Sequence, residues 1–189
     1  MTDRRRFGEA WERPLIDRVR AAAQGGVHLV QIRERDLDGA PLAHLVSACL
    51  DAVRGTRTRV LVNDRVDVAL TAGAHGVHLR GDSFAAPRIR AWTSQPFLIG
   101  RSVHSVTDAV AVTEDGAVDY LIFGTVFEST SKPGQPVAGI GGLAAVVRAT
   151  PLPVLAIGGI TPARIEDVMA AGAAGIAGIS MFDTPSPLS

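Results

Sequence analysis

Two glycine-rich turns near the C-terminal end, Gly158-Gly159 and Gly178-Ile179-Ser180, are the first candidates for chemistry. Glycine lets backbone N–H groups approach an anion closely. Thr161 followed by Pro162 predicts a helix start that aims further amides and a positive dipole end at the same place. The pairing of the two turns suits a phosphate, although tight turning alone also uses glycine. Upstream, Gln31-Ile32-Arg33-Glu34-Arg35 puts two guanidiniums at a strand end. There they suit a pair of phosphate oxygens or, equally, a surface ion-pair network with Glu34. Asn63-Asp64-Arg65 offers an amide and a carboxylate, either for a phosphate, an amine or magnesium, or simply for capping a helix. Ser129-Thr130-Ser131-Lys132-Pro133-Gly134 supplies hydroxyls and an ammonium on a loop able to wrap a diphosphate and exclude water, or an ordinary polar loop. His104, after Arg101-Ser102-Val103, is a candidate acid or base, whereas His78 reads as a packed structural histidine. Cys49 falls in the stripe Leu42, Leu45, Val46, Cys49, Leu50, Val53 and reads as helix core, not as a nucleophile.

These residues need a scaffold that brings strand ends together. Short apolar runs at 27–32, 60–62, 77–79, 97–99, 120–123, 154–157 and 176–179 read as strands, with amphipathic stretches between them. Their nearly continuous apolar character suits a parallel sheet covered by helices. A faint repeat supports this: Gly26-Val27-His28-Leu29 recurs as Gly76-Val77-His78-Leu79, 50 residues later, and Ala72-Gly73-Ala74 recurs as Ala171-Gly172-Ala173. Polar residues follow nearly every strand, which favours a closed ring over a doubly wound sheet. The expected fold is therefore α/β, a TIM-type (β/α)8 barrel, as a single domain over 1–189. Such barrels usually need about 200 residues or more, so the first strand and last helix are expected to be missing or degraded.

A chain of 189 residues that is 47% hydrophobic and 20% charged supports one globular core. Lys plus Arg number 19 and Asp plus Glu 19, so bulk charge points to no nucleic-acid partner. No apolar stretch is long enough for a membrane span and no signal peptide precedes the domain, which implies a cytoplasmic location. Exposed sheet edges would favour association into a homo-oligomer.

Together, Ile32-Arg33-Glu34-Arg35, Val62-Asn63-Asp64-Arg65-Val66-Asp67, Gly76-Val77-His78-Leu79, Gly100-Arg101-Ser102-Val103-His104-Ser105, Phe123-Gly124-Thr125-Val126-Phe127, Ser131-Lys132 and Ile157-Gly158-Gly159-Ile160 resemble the thiamine phosphate synthase/TenI family. The resemblance runs in the family's order from about Thr2 to Ser180, and Thr2-Asp3 matches the end of the family's first barrel strand. In the synthase branch it implies that Gln31, Arg33, Arg35 and Asn63 face the diphosphate of an aminopyrimidine diphosphate, with Arg35 replacing the usual lysine. Asp64 would hold magnesium, Ser102 would touch the pyrimidine or diphosphate, and Ser129, Ser131 and Lys132 would form the phosphate loop. Gly158, Gly159, Ile179 and Ser180 would hold the thiazole phosphate.

The chain departs from the synthase pattern after His78-Leu79. Synthases read Gly-Gln-x-Asp where this chain has Arg80-Gly81-Asp82-Ser83, so Ser83 replaces the second magnesium carboxylate and Asp82 is its displaced neighbour. Gly81-x-Ser83-Phe84 and the Gly100–Ser105 stretch resemble the TenI branch, which aromatises a thiazole carboxylate phosphate by moving protons and needs no metal. The leading expectation is thus a TenI-like tautomerase acting on a thiazole phosphate without a cofactor. Thr125 stands where TenI proteins carry a histidine, with His104 as its substitute, and Lys132 of the phosphate loop is the further candidate catalytic residue. The alternatives are a magnesium-dependent synthase, with Asp64 and Asp82 as metal ligands, and a non-catalytic phosphate-binding homologue.

Overall fold

The computed structural model describes residues 1–93, 96–129, 134 and 136–179. Its strands are β1 (Leu29–Ile32), β2 (Arg59–Asn63), β3 (Gly76–Leu79), β4 (Leu98–Val103), β5 (Tyr120–Phe123), β6 (Val154–Ile157) and β7 (Gly175–Ala177). Strands β1–β2, β2–β3, β4–β5, β5–β6 and β6–β7 pair in parallel, and the sheet order is the chain order β1-β2-β3-β4-β5-β6-β7. An unbroken sequential order is the barrel's topology; a doubly wound sheet reverses direction at a switch point. Between the strands lie α1 (Glu12–Gln24), α2 (Gly39–Ala52), α3 (Val66–Thr71), α4 (Ala86–Arg90), α5 (Val106–Glu114), α6 (Gly139–Ala149) and α7 (Ile165–Ala170).

The chain forms two compact units, which among the described residues are 1–78 with 96–98, and 79–93 with 99–179. In the first unit, α1 buries Leu15, Val19 and Ala23, one side chain per turn. Helix α2 buries Leu42, Leu45, Val46 and Cys49, the stripe expected from the sequence. Burial pushes the Cys49 thiol up to about 12, so the thiolate that would react is suppressed. In the second unit β5 is buried throughout. Helix α5 starts where Ser105 accepts a hydrogen bond from the Asp108 N–H at 3.0 Å, and Asp108 answers by accepting from the His104 N–H at 3.1 Å.

The short sequence repeat is a real structural one. Gly73 (φ +71) and Gly172 (φ +89) end α3 and α7 in the left-handed region, and Ala74 and Ala173 donate back to Ala69 and Val168. Several expected boundaries shift. The run expected at 97–99 extends through Val103, so Arg101 and Ser102 sit within a strand instead of after it. The run expected at 176–179 forms a strand over Gly175–Ala177, leaving Gly178 and Ile179 beyond its end. The helix expected at Thr161 and Pro162 opens as a 3-10 turn over Pro162–Arg164, and α7 starts only at Ile165. It is six residues long with Glu166 and Asp167 in its first turn, so its dipole offers little to an anion.

Candidate functional site

In the first unit, the end of β1 is tied down by the N-terminal residues. The Thr2 N–H donates to the Gln31 carbonyl at 2.9 Å, and Thr2 Oγ1 accepts from the Arg33 N–H at 2.9 Å. Glu34 is 5% exposed, and its Oε2 accepts from the Arg4 N–H at 3.1 Å. Burial pushes its carboxyl above the ordinary range, against hydrogen bonds from Thr2 and Arg4 that pull it down. The surface ion-pair network between Glu34 and its flanking arginines therefore does not form: a backbone amide meets the carboxylate. Burial, reinforced by Arg35, lowers the pKa of the half-buried Arg33, an arginine already partly stripped of water.

Gln31, also 5% exposed, donates from Nε2 to Asn63 Oδ1 at 2.9 Å, which locks these two expected site residues together. Gln31 Oε1 and Glu34 Oε1 are buried and meet no donor among the described residues. A buried acceptor without a donor is costly, and a ligand N–H would relieve it. Neither Asn63 nor Asp64 caps a helix, because α3 opens with Arg65 at its N-cap and no side-chain cap bond. Arg65 instead grips Asp67 with two bonds of 2.8 and 2.6 Å. Asp64 is held at φ +65, the left-handed region, while its N–H donates to the His78 carbonyl at 2.9 Å. A non-glycine residue kept there costs of order 1 kcal/mol or more, and such strain concentrates at functional sites. His78 itself is 2% exposed, as expected of a structural histidine.

In the second unit the glycine turn after β6 is shaped by close contact with the segment after β5. The Val126 and Phe127 N–H groups donate to the Ile157 and Gly158 carbonyls at 2.9 and 3.0 Å. A Cβ at Gly158 (φ +101) would lie 2.5 Å from Thr125 Cγ2, and one at Gly159 (φ +61) would lie 2.1 Å from the Glu128 carbonyl oxygen. Both glycines are thus required by packing as well as by dihedral angle. Thr125 is the immediate neighbour of Gly158. His104 is exposed, and its Nδ1 lies 2.6 Å from the Gly124 carbonyl oxygen, so Nδ1 carries the proton and donates. The expected catalytic pair His104 and Thr125 accordingly flank one peptide.

Ser102 on β4, Ser129 and Ile179 are all partly buried within this unit. Ser131, Lys132 and Ser180 lie outside the described residues. Nothing in the residue pattern points to Arg164, whose Nη1 donates to the Gly159 carbonyl at 2.8 Å while its guanidinium carbon sits 4.4 Å from the centre of the Phe127 ring. Only the fold puts a residue after β5 against one after β6.

The loop 80–84 was expected to contribute a metal carboxylate. Asp82 is instead paired with Arg80 at 2.8 Å, and Ser83 Oγ accepts from the Arg80 N–H at 2.8 Å. Arg101 adds a second guanidinium, bonded to the Gly81 and Phe84 carbonyls at 2.8 and 2.9 Å. Two cations and a carboxylate already in an ion pair make a poor setting for a divalent metal. No group of three metal-ligating side chains occurs among the described residues. The donor set of this loop, with Asp82 paired to Arg80, fits magnesium poorly.

Comparison with known proteins gives a consistent answer. The sequence pattern described as thiamine monophosphate synthase (TMP-TENI) matches residues 2–182. The chain is similar to a putative thiamine-phosphate synthase of Geobacter sulfurreducens, with 43% identity covering 99% of this chain and 87% of the relative. It is 41% identical to a thiamine-phosphate synthase of Roseiflexus castenholzii, over 99% of this chain and 81% of that protein. Among solved structures, the thiamine phosphate pyrophosphorylase of Pyrococcus furiosus superposes with a TM-score of 0.79 at 31% identity, covering 91% and 82% of the two chains. No helix among the described residues is long and apolar enough to cross a membrane.

Proposed function

The chain belongs to the thiamine monophosphate synthase family, and from that premise we propose that it is a thiamine-phosphate synthase, joining an aminopyrimidine diphosphate to a thiazole phosphate. This reverses the preference for the TenI-like tautomerase that Ser83 and Phe84 suggested. The observation that carries it is the cluster of Gln31, Arg33 and Asn63 in the first unit, with its locked amide pair and unmatched buried acceptor. The thiazole carboxylate phosphate of a tautomerase carries no amine to donate to that acceptor, whereas an aminopyrimidine does. The names of the relatives support the same branch.

In this reading the C–O bond of the aminopyrimidine diphosphate breaks, diphosphate leaves with the bonding pair, and the thiazole nitrogen captures the pyrimidine methylene cation to form the C–N bond. Charge grows on the departing diphosphate, and Arg33 with Arg35 neutralises it by charge-assisted hydrogen bonds. Gln31 Oε1 accepts from the exocyclic amine of the pyrimidine, a donor that matches its unsatisfied acceptor. Asn63 Oδ1 holds the Gln31 amide in that orientation. The amides of the turn at Gly158 and Gly159, with Ile179, Ser180, Ser129 and Ser131, take the thiazole phosphate. No step transfers a proton to a side chain, so the absence of a histidine at Thr125 is no defect.

Magnesium is the metal that the family resemblance implies, and it would neutralise the diphosphate. Asp64 is the carboxylate that would hold it, whereas the 80–84 loop fits it poorly, so the arginines would carry more of the charge here. The deciding measurement supplies purified protein with both substrates, with and without magnesium, and follows thiamine phosphate. Formation of product supports the synthase. Aromatisation of the thiazole carboxylate phosphate with no coupling product would return the tautomerase.

A further inference from the structure

The glycine turn after β6 accepts a hydrogen bond from an arginine that belongs to neither ligand set described above. We propose that Arg164 is a positioning residue for the thiazole phosphate, acting by fixing the peptide between Gly159 and Ile160; this rests on the reading of that turn as the phosphate seat.

Arg164 Nη1 donates to the Gly159 carbonyl oxygen at 2.8 Å. The Gly159-Ile160 bond is trans. In a planar trans peptide the C=O and the following N–H point in opposite directions. Holding the Gly159 oxygen towards Arg164 therefore turns the Ile160 N–H away from it. That N–H, only partly buried, meets no acceptor among the described residues. It is available to an anion, and its direction is set by the guanidinium behind it.

The guanidinium is itself immobilised. Its Cζ lies 4.4 Å from the Phe127 ring centre, and the Arg164 N–H donates to the Thr161 carbonyl at 2.9 Å. Phe127 in turn donates its N–H to the Gly158 carbonyl at 3.0 Å. Arg164 thus spans both sides of the turn, the glycine strand end and the aromatic segment that crowds it. Gly159 has no side chain to restrict its peptide, and at φ +61 this peptide would otherwise be free to flip between orientations. A stacked, planar guanidinium suits this work better than a mobile ammonium. The short helix α7 contributes nothing to the argument.

The test uses the whole chain with Arg164→Met and Arg164→Lys, because an exposed residue can be replaced with little risk to folding. Thermal melting checks that both variants remain folded. Calorimetric titration with hydroxyethylthiazole phosphate, together with steady-state kinetics, gives the readout. Arg164→Met is expected to weaken thiazole phosphate binding and raise its KM about tenfold. The KM for the aminopyrimidine diphosphate should stay within about twofold, and Arg164→Lys should recover part of the loss. Undiminished binding by a folded Arg164→Met variant would overturn the role of Arg164 alone, and so would an equal rise in both KM values. Failure of the wild-type protein to bind thiazole phosphate would overturn the phosphate reading and this role with it.

Discussion

The two candidate regions are built on opposite principles. In the first unit, the candidate binding groups are side chains at the ends of β1 and β2, placed by a web of hydrogen bonds that runs from Thr2 and Arg4 to Glu34, Gln31 and Asn63. In the second unit, the turn after β6 offers backbone amides, and its shape comes from the absence of side chains at Gly158 and Gly159. A site made of side chains can lose a contact and keep its frame. One made of backbone cannot change a residue without changing the frame.

That contrast is most directly broken at Gly159. Gly159→Ala would put a methyl against the Glu128 carbonyl at an unfavourable positive φ, and should cost about 2 to 3 kcal/mol in denaturant unfolding as well as thiazole phosphate binding. A variant of wild-type stability would show that the turn relaxes easily. Arg33→Met is the matching change in the first unit. It should lower kcat/KM for the aminopyrimidine diphosphate about 30- to 100-fold and leave the melting temperature nearly unchanged. Loss of folding there would erase the distinction between the two regions.

Glu34 sharpens the comparison through pH. Its folded pKa is raised by burial, so between the ordinary glutamate value of 4.5 and the raised value the folded state holds more protons than the unfolded one. The stability contributed by protonated Glu34 is therefore full below the ordinary value and is lost as pH rises through the raised one. Glu34→Gln should flatten that fall in a pH series of unfolding curves; an unchanged slope would mean that the N-terminal hydrogen bonds, not burial, control this carboxyl. The smallest effect is expected at His104. His104→Asn should change coupling of the two substrates by less than about threefold, because its ring is occupied with the Gly124 carbonyl and the proposed chemistry moves no proton. A collapse of turnover would restore it as an acid or base.

Much of this was legible in the chain. The apolar runs announced all seven strands, and the Ala-Gly-Ala helix ends marked the repeat, because periodicity and glycine punctuation are local signals. The boundaries that shifted did so for tertiary reasons. Arg101 and Ser102 look like loop residues by polarity, yet β4 pairs through them with β5. Thr161 and Pro162 look like a helix start, yet the segment turns once in 3-10 geometry before α7 begins.

By itself, the sequence determined a parallel βα succession, a glycine turn suited to an anion and a run of one amide and two arginines, Gln31, Arg33 and Arg35, at the end of the first described strand. Those features depend on residue type and on spacing within one element. Only the tertiary structure decided that Asp64 sits in a left-handed conformation, that Glu34 is met by a backbone amide instead of a guanidinium, and that Arg80 takes Asp82 while Arg164 stacks on Phe127. The physical reason is that partners such as these are chosen by register and by the direction in which each backbone group points. Neither is written in the composition of any single segment.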